Sequence, residues 1–234
     1  MSASGDARAW AETVRAYAQK RRLAYEEVGG LNPRDAPPAL NPGGSNRITG
    51  ELTDGFWGSS CDADEREAGG FGRRAVLPGA VLVKSHMPDL ARVVPVFNVE
   101  SIERTPEDIV DRRSRRRVEF ESIEFNRRFI ATVPGDHDPI ALRELFSPAF
   151  IDWITRLPAN VDFGITEAQL FFHWVLRGLT AEELRAALEG AAGVFKRLRL
   201  EMAENGLAPY AAGPWHAGLE PFPPQPGPSG APPA

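Results

Sequence analysis

Asp136-His137-Asp138 is the tightest grouping of an imidazole with carboxylates in this sequence. Such a trio can bind a metal or move protons. A metal site, however, draws ligands from several elements, and no partner spacing for zinc accompanies it. The same residues also form turns and helix caps. Cys61-Asp62-Ala63-Asp64 places a thiol among carboxylates. Acidic neighbours raise a thiol's pKa, which opposes nucleophilic use. In Lys84-Ser85-His86, a strand would put Lys84 and His86 on one face and Ser85 on the other, which separates the base from the hydroxyl. His173 lies within an apolar run and reads as a core histidine. Gly69-Gly70-Phe71-Gly72 lacks the spacing of a phosphate-binding loop. The sharpest charge feature is Arg112, Arg113, Arg115, Arg116 and Arg117. This run can contact phosphates, but glutamates and aspartates flank it, and it reads as a solvated connector.

Composition narrows the classes. The chain has 234 residues, 42% hydrophobic and 25% charged, as in a water-exposed globular protein. A net charge of -5 gives no general attraction to polyanions. With one cysteine there is no internal disulfide framework and no multi-cysteine zinc site. The opening MSASGDARAW has no apolar signal core, and no stretch approaches the roughly 20 apolar residues of a spanning helix. The expected compartment is the cytoplasm, and no cofactor is expected.

The elements that must position these residues follow from pattern. A first helix carries Trp10, Val14 and Tyr17, with Ser4 or Asp6 as its cap. Residues 23–28 read as a strand, and residues 48–60 as a hairpin turning at Asp54-Gly55. Residues 75–83 and 93–99 read as further strands. Val118 and Phe120 alternate with glutamates, and Ile123, Phe125, Phe129, Ala131 and Val133 then resume the period of two. That pattern predicts one half-buried strand with a bulge between Phe120 and Ile123. Asp138-Pro139 and Ser147-Pro148 each open a helix. Ile140, Leu142 and Leu145 are apolar positions of the first, and Phe150, Ile151, Ile154 and Leu157 of the second. Residues 169–176 read as a buried strand, although their length also permits a helix. Thr180 and Glu183 form a capping box for a long final helix that Gly206 ends. Prolines make up 9 of the 28 residues from Leu207 to Ala234. That tail, with PxxP cores near Pro223, should not pack.

The central block resembles a known pattern. Glu121-Ser122, Phe125-Asn126, Phe129, Val133, Asp136, Ala141, Leu145 and Pro148 look like the "ES..FN..F.V" then "D...A..L..P" signature of an uncharacterised bacterial domain of unknown function. Phe150 and Ile151 extend the match. Residues 48–50, 75–83 and Met87-Pro88-Asp89-Leu90 sit where that family has an early β-region and an "lP.l" segment. The resemblance covers roughly residues 10–200. It implies no catalytic residues. Some relatives carry membrane-spanning segments ahead of the domain, whereas a variant without them is expected here.

The expected fold is α+β: a mainly antiparallel sheet with a helix at each end and a helix pair after the central strand. Residues 1–206 would form one domain and residues 207–234 a disordered proline-rich tail. Because the distinctive residues are architectural, the sequence favours a non-enzymatic binding or scaffold module with a protein partner. Two alternatives remain: an enzyme using Asp136, His137 and Asp138, and an anion or nucleic-acid binder using the arginine run. Nucleic acid is the less expected partner, and peripheral membrane contact stays open.

Overall fold

The computed structural model describes residues 3–28, 44–53, 55–64, 76–86, 94–103, 115–158, 160–166 and 169–206. Among these, nine strands form one antiparallel sheet. The strands are β1 (Ala24–Val28), β2 (Gly44–Thr53), β3 (Phe56–Asp64), β4 (Val76–His86), β5 (Phe97–Ser101), β6 (Arg115–Val118), β7 (Phe129–Pro134), β8 (Val161–Thr166) and β9 (Gln169–Val175). Their order is β1-β2-β3-β4-β9-β8-β5-β7-β6. The helices are α1 (Ala3–Arg21), α2 (Ile123–Arg128), α3 (Pro139–Leu145), α4 (Pro148–Ile154) and α5 (Ala181–Glu204). The α+β expectation therefore holds, with helices at both ends and the α3–α4 pair following β7. The tail and residues 69–72 lie outside the described residues.

One sheet face carries the main core. Val81, Val83, Leu170 and Phe172 from the middle strands join Phe97, Val99, Phe163 and Ile165 from β5 and β8. Apolar side chains from all five helices close over them. In α5 the buried positions Leu184, Ala187, Leu188, Ala191, Val194, Phe195, Leu198 and Met202 recur at helical spacing. Thr180 and Glu183 close its first turn as the expected capping box. On the other sheet face Cys61, Ala80 and Leu82 form a small second cluster with Phe171 and Val175.

Two expectations need correction. Residues 118–133 are not one bulged strand. β6 ends at Val118, and after four residues outside any strand the chain forms α2 before β7 begins. Ser122 causes the break: its Oγ accepts from the Phe125 N–H at 3.2 Å, which satisfies a first-turn donor. Asn126 then fastens the turn from inside. Its Oδ1 accepts from the Phe120 N–H at 3.3 Å, and its Nδ2 donates to the Phe120 carbonyl at 2.6 Å. Nor are Arg115, Arg116 and Arg117 a connector, since they pair with Pro134, Val133 and Thr132 of β7 as the sheet's last strand. Charged residues on an edge strand discourage further pairing, which accounts for arginine there. Two smaller differences follow. Ser4 and Asp6 lie inside α1 rather than before it. Ile140 is 54% exposed, so Leu142 and Leu145 alone anchor α3.

Candidate functional site

The candidate acid–base residues sit at the turn between β7 and α3. Asp138 is committed to capping, since its Oδ1 accepts from the Ile140 N–H at 2.9 Å. The His137 N–H donates to the Pro134 carbonyl at 3.0 Å, and its Nδ1 is buried with no hydrogen-bond partner. Asp136 is exposed. Among the described residues, no three His, Cys, Asp or Glu side chains gather closely enough to hold a metal ion.

The remaining sequence candidates are dispersed. Cys61 is a buried thiol in the second apolar cluster. Ser85 is buried and donates to the Trp57 carbonyl at 3.0 Å, while Lys84 stands one residue away on the other face. His173 is buried as expected, with Nδ1 3.5 Å from Asp162 Oδ2. Asp162 Oδ1 accepts from the Ser101 N–H at 2.9 Å, so the pair ties β9, β8 and β5 together. Arg115 Nε donates to Thr132 Oγ1 at 2.9 Å. Arg116 and Arg117 are exposed, and Arg117 lies 3.9 Å from Glu119. Arg112 and Arg113 lie outside the described residues.

A side chain that the sequence offered only as an acidic neighbour of Cys61 makes a well-connected polar site. Asp62, beside Cys61 but facing the α1 side, is 2% exposed. Its Oδ1 accepts from Trp10 Nε1 at 2.6 Å, and its Oδ2 from Asn46 Nδ2 at 2.7 Å. Tyr25 donates to Asn46 Oδ1 at 3.0 Å. The chain of bonds therefore joins α1, β3, β2 and β1. Burial pushes the Asp62 carboxyl above its usual range, against the hydrogen bonds from Trp10 and Asn46 that lower it. This is a structural lock, closed to solvent.

The described residues hold two open hollows. The larger, about 970 Å³ between α1 and α5, is lined by Lys20, Arg21 and Arg185 against Glu182 and Glu189. Burial raises the pKa of Tyr17 in its wall, opposed by Arg21. Its charges are mixed, with Arg185 3.9 Å from Glu189.

The second hollow is a cleft of about 670 Å³ where the segment after β6 meets α3 and α4. Phe120, Phe146, Pro148 and Ile151 supply its apolar lining. Glu119, Glu121, Glu124 and Asp152 stand around it with Arg143. Ile123, between two lining residues, is 77% exposed. The lining is held rigidly. Phe120 stacks on Phe146 with centroids 5.4 Å apart, and Phe146 meets Phe97 and Phe150 edge-on. Ser147 caps α4 through the Phe150 N–H at 3.1 Å. The fully buried Glu201 of α5 accepts from the Ser147 N–H at 3.2 Å and pairs with Arg197 at 3.0 Å. Arg128 closes the far end of α4 by donating to the carbonyls of Thr155 and Leu157. Preorganised walls of this kind bind without first paying an ordering entropy. The Ser122 cap and Asn126 clasp, which set the position of Phe120, were the missed signal in the sequence.

No family model and no curated protein matches the chain. Among solved structures, the crystal structure of the mycobacterial trehalose monomycolate transport factor A, TtfA, is similar in fold. Its TM-score is 0.52 at 10% identity, and the match covers 82% of this chain and 94% of that one. The likeness is one of architecture. No helix among the described residues is long and apolar enough to cross a membrane.

Proposed function

We propose that the protein is a non-enzymatic binding module, cytoplasmic, that holds a segment of a protein partner in the cleft between residues 119–124 and helices α3 and α4. The observation that carries this reading is the cleft itself. An apolar lining lies open between polar walls, as in ligand and peptide sites, while the candidate acid–base residues are committed to a turn and a cap. Exposed Ile123 enlarges the apolar surface that an incoming side chain can cover. Fold likeness to a protein named as a transport factor is compatible with this reading. The resemblance to the uncharacterised bacterial domain belongs to the same proposal. Its residues Ser122, Phe125, Asn126, Pro148 and Ile151 are those that shape the cleft.

A short fluorescein-labelled peptide of leucine and glutamine tests the reading by anisotropy. Binding should saturate, and it should weaken both in Thr155→Trp, which fills the cleft, and in Ile123→Asp, which makes its mouth polar. Binding unchanged by both substitutions would move the site elsewhere.

A further inference from the structure

We infer that the partner segment in this cleft is cationic: an apolar side chain on the lining, with Lys or Arg beside it at the rim. This rests on the binding reading above and adds the chemistry of the ligand. Four carboxylates line the cleft, from Glu119, Glu121, Glu124 and Asp152, against one cation, Arg143. The lining therefore carries a formal charge of -3, from four acids and one arginine. Three of these acids already have arginine neighbours outside the lining. Arg117 is 3.9 Å from Glu119, Arg127 is 3.8 Å from Glu124, and Arg156 contacts Asp152. The Arg127 and Arg156 pairs are largely exposed, Arg117 is 33% exposed beside an exposed Glu119, and such solvent-facing pairs contribute little to stability. An incoming ammonium or guanidinium can replace or share these arginines at small cost. Glu121 has no ion-pair partner among the described residues and is the first carboxylate available to it.

The same count limits the range of the attraction. With the three outer arginines included, four acids face four arginines, and the neighbourhood is neutral. Beyond the Debye length of about 8 Å at physiological salt, little field remains. Selection for positive charge then acts at contact, inside the cleft, as charge complementarity does at an interface. Phosphate-bearing ligands are disfavoured for the same reason. A nucleic acid or an anionic headgroup brought to the apolar lining would meet four carboxylates. A neutral apolar segment would leave Glu121 without a counter-charge.

Three labelled peptides separate these cases at physiological salt. They share one leucine pattern and carry lysine, glutamine or glutamate at the remaining positions. The lysine peptide should bind about tenfold tighter than the glutamine peptide, and the glutamate peptide weakest. Glu121→Gln with Glu124→Gln should close most of the gap between lysine and glutamine peptides. The equal charge change Glu182→Gln with Glu189→Gln, in the α1–α5 groove, should leave it open. Equal affinity for the lysine and glutamine peptides would overturn the cationic preference and leave the cleft reading standing. An equal loss in the groove variant would assign the preference to overall charge and overturn it as well. Binding of none of the three would remove the cleft reading and this inference together.

Discussion

Asp62 gives the sharpest quantitative test of how α1 is held to the sheet. Replacing it with alanine removes the acceptor of two buried side-chain donors, the Trp10 indole N–H and the Asn46 amide, besides its bonds to the Gly79 N–H and Ser45 Oγ. Each orphaned buried donor costs about 1–3 kcal/mol, so the sum is roughly 2–6 kcal/mol. The wild-type carboxylate is itself costly when ionised, because burial raises its pKa, and this offsets part of the loss. Asp62→Ala should therefore fall in the lower half of that range, about 2–4 kcal/mol. Asp62→Asn should cost much less. The Asn oxygen keeps the Trp10 bond, and the Asn46 amide can turn over because the Tyr25 hydroxyl accepts as well as donates. The pH dependence has a definite sign. A carboxyl with a raised folded pKa contributes stability below its unfolded pKa, and that contribution is lost as pH rises through the folded value. Wild type should thus gain on Asp62→Asn as pH falls from neutral towards about 4. Urea unfolding of both proteins across that window reads the difference directly. A flat difference, or one that grows in favour of wild type as pH rises, would refute the account of Asp62. So would an Asp62→Ala cost under about 1 kcal/mol.

Three further outcomes are expected. Phe150, fully buried against Phe146 and beside Trp153, should cost about 3–5 kcal/mol when changed to alanine. Chemical denaturation checks this, and a loss below about 1 kcal/mol would place it outside the core. Gly164→Ala puts a Cβ 2.3 Å from the Phe97 carbonyl, so β8 and β5 must separate. Its melting temperature should drop, whereas an unchanged value would show that the strands yield. Titration with labelled single- and double-stranded oligonucleotides at low and physiological salt should show only weak, salt-sensitive binding, because Arg115 is tied to Thr132 and Arg117 lies beside Glu119. Sub-micromolar binding lost in Arg115→Ala with Arg116→Ala and Arg117→Ala would restore the anion-binding reading.

Local chemistry was legible in the sequence where one short segment contains the whole signal. Asp138-Pro139, Ser147-Pro148 and the Thr180–Glu183 box each cap the helix they announce. The hairpin turning at Gly55, where φ is 72°, is equally local. α2 was not legible, because six residues are too few to show a helical period, and Phe120, Ile123 and Phe125 imitate a strand. The arginine strand β6 was hidden for another reason. Its place in the sheet comes from pairing with β7, not from the β-propensity of arginine. Asp62 meets Trp10 across 52 positions, a contact that no spacing rule reveals. The cleft is likewise made by tertiary packing, with Phe120 from before β7 in the sequence brought onto Phe146 from after it.

The most direct test of the central claim is a two-dimensional amide NMR titration of the full chain with the leucine–lysine peptide. If the cleft is the binding surface, shift changes will concentrate at residues 119–124 and 143–155. They will spare the Asp62 network and the α1–α5 groove, and Thr155→Trp will suppress them. Changes centred on Lys20, Tyr17 and Arg185, or on the Asp136–Asp138 turn, would contradict the account and move the site.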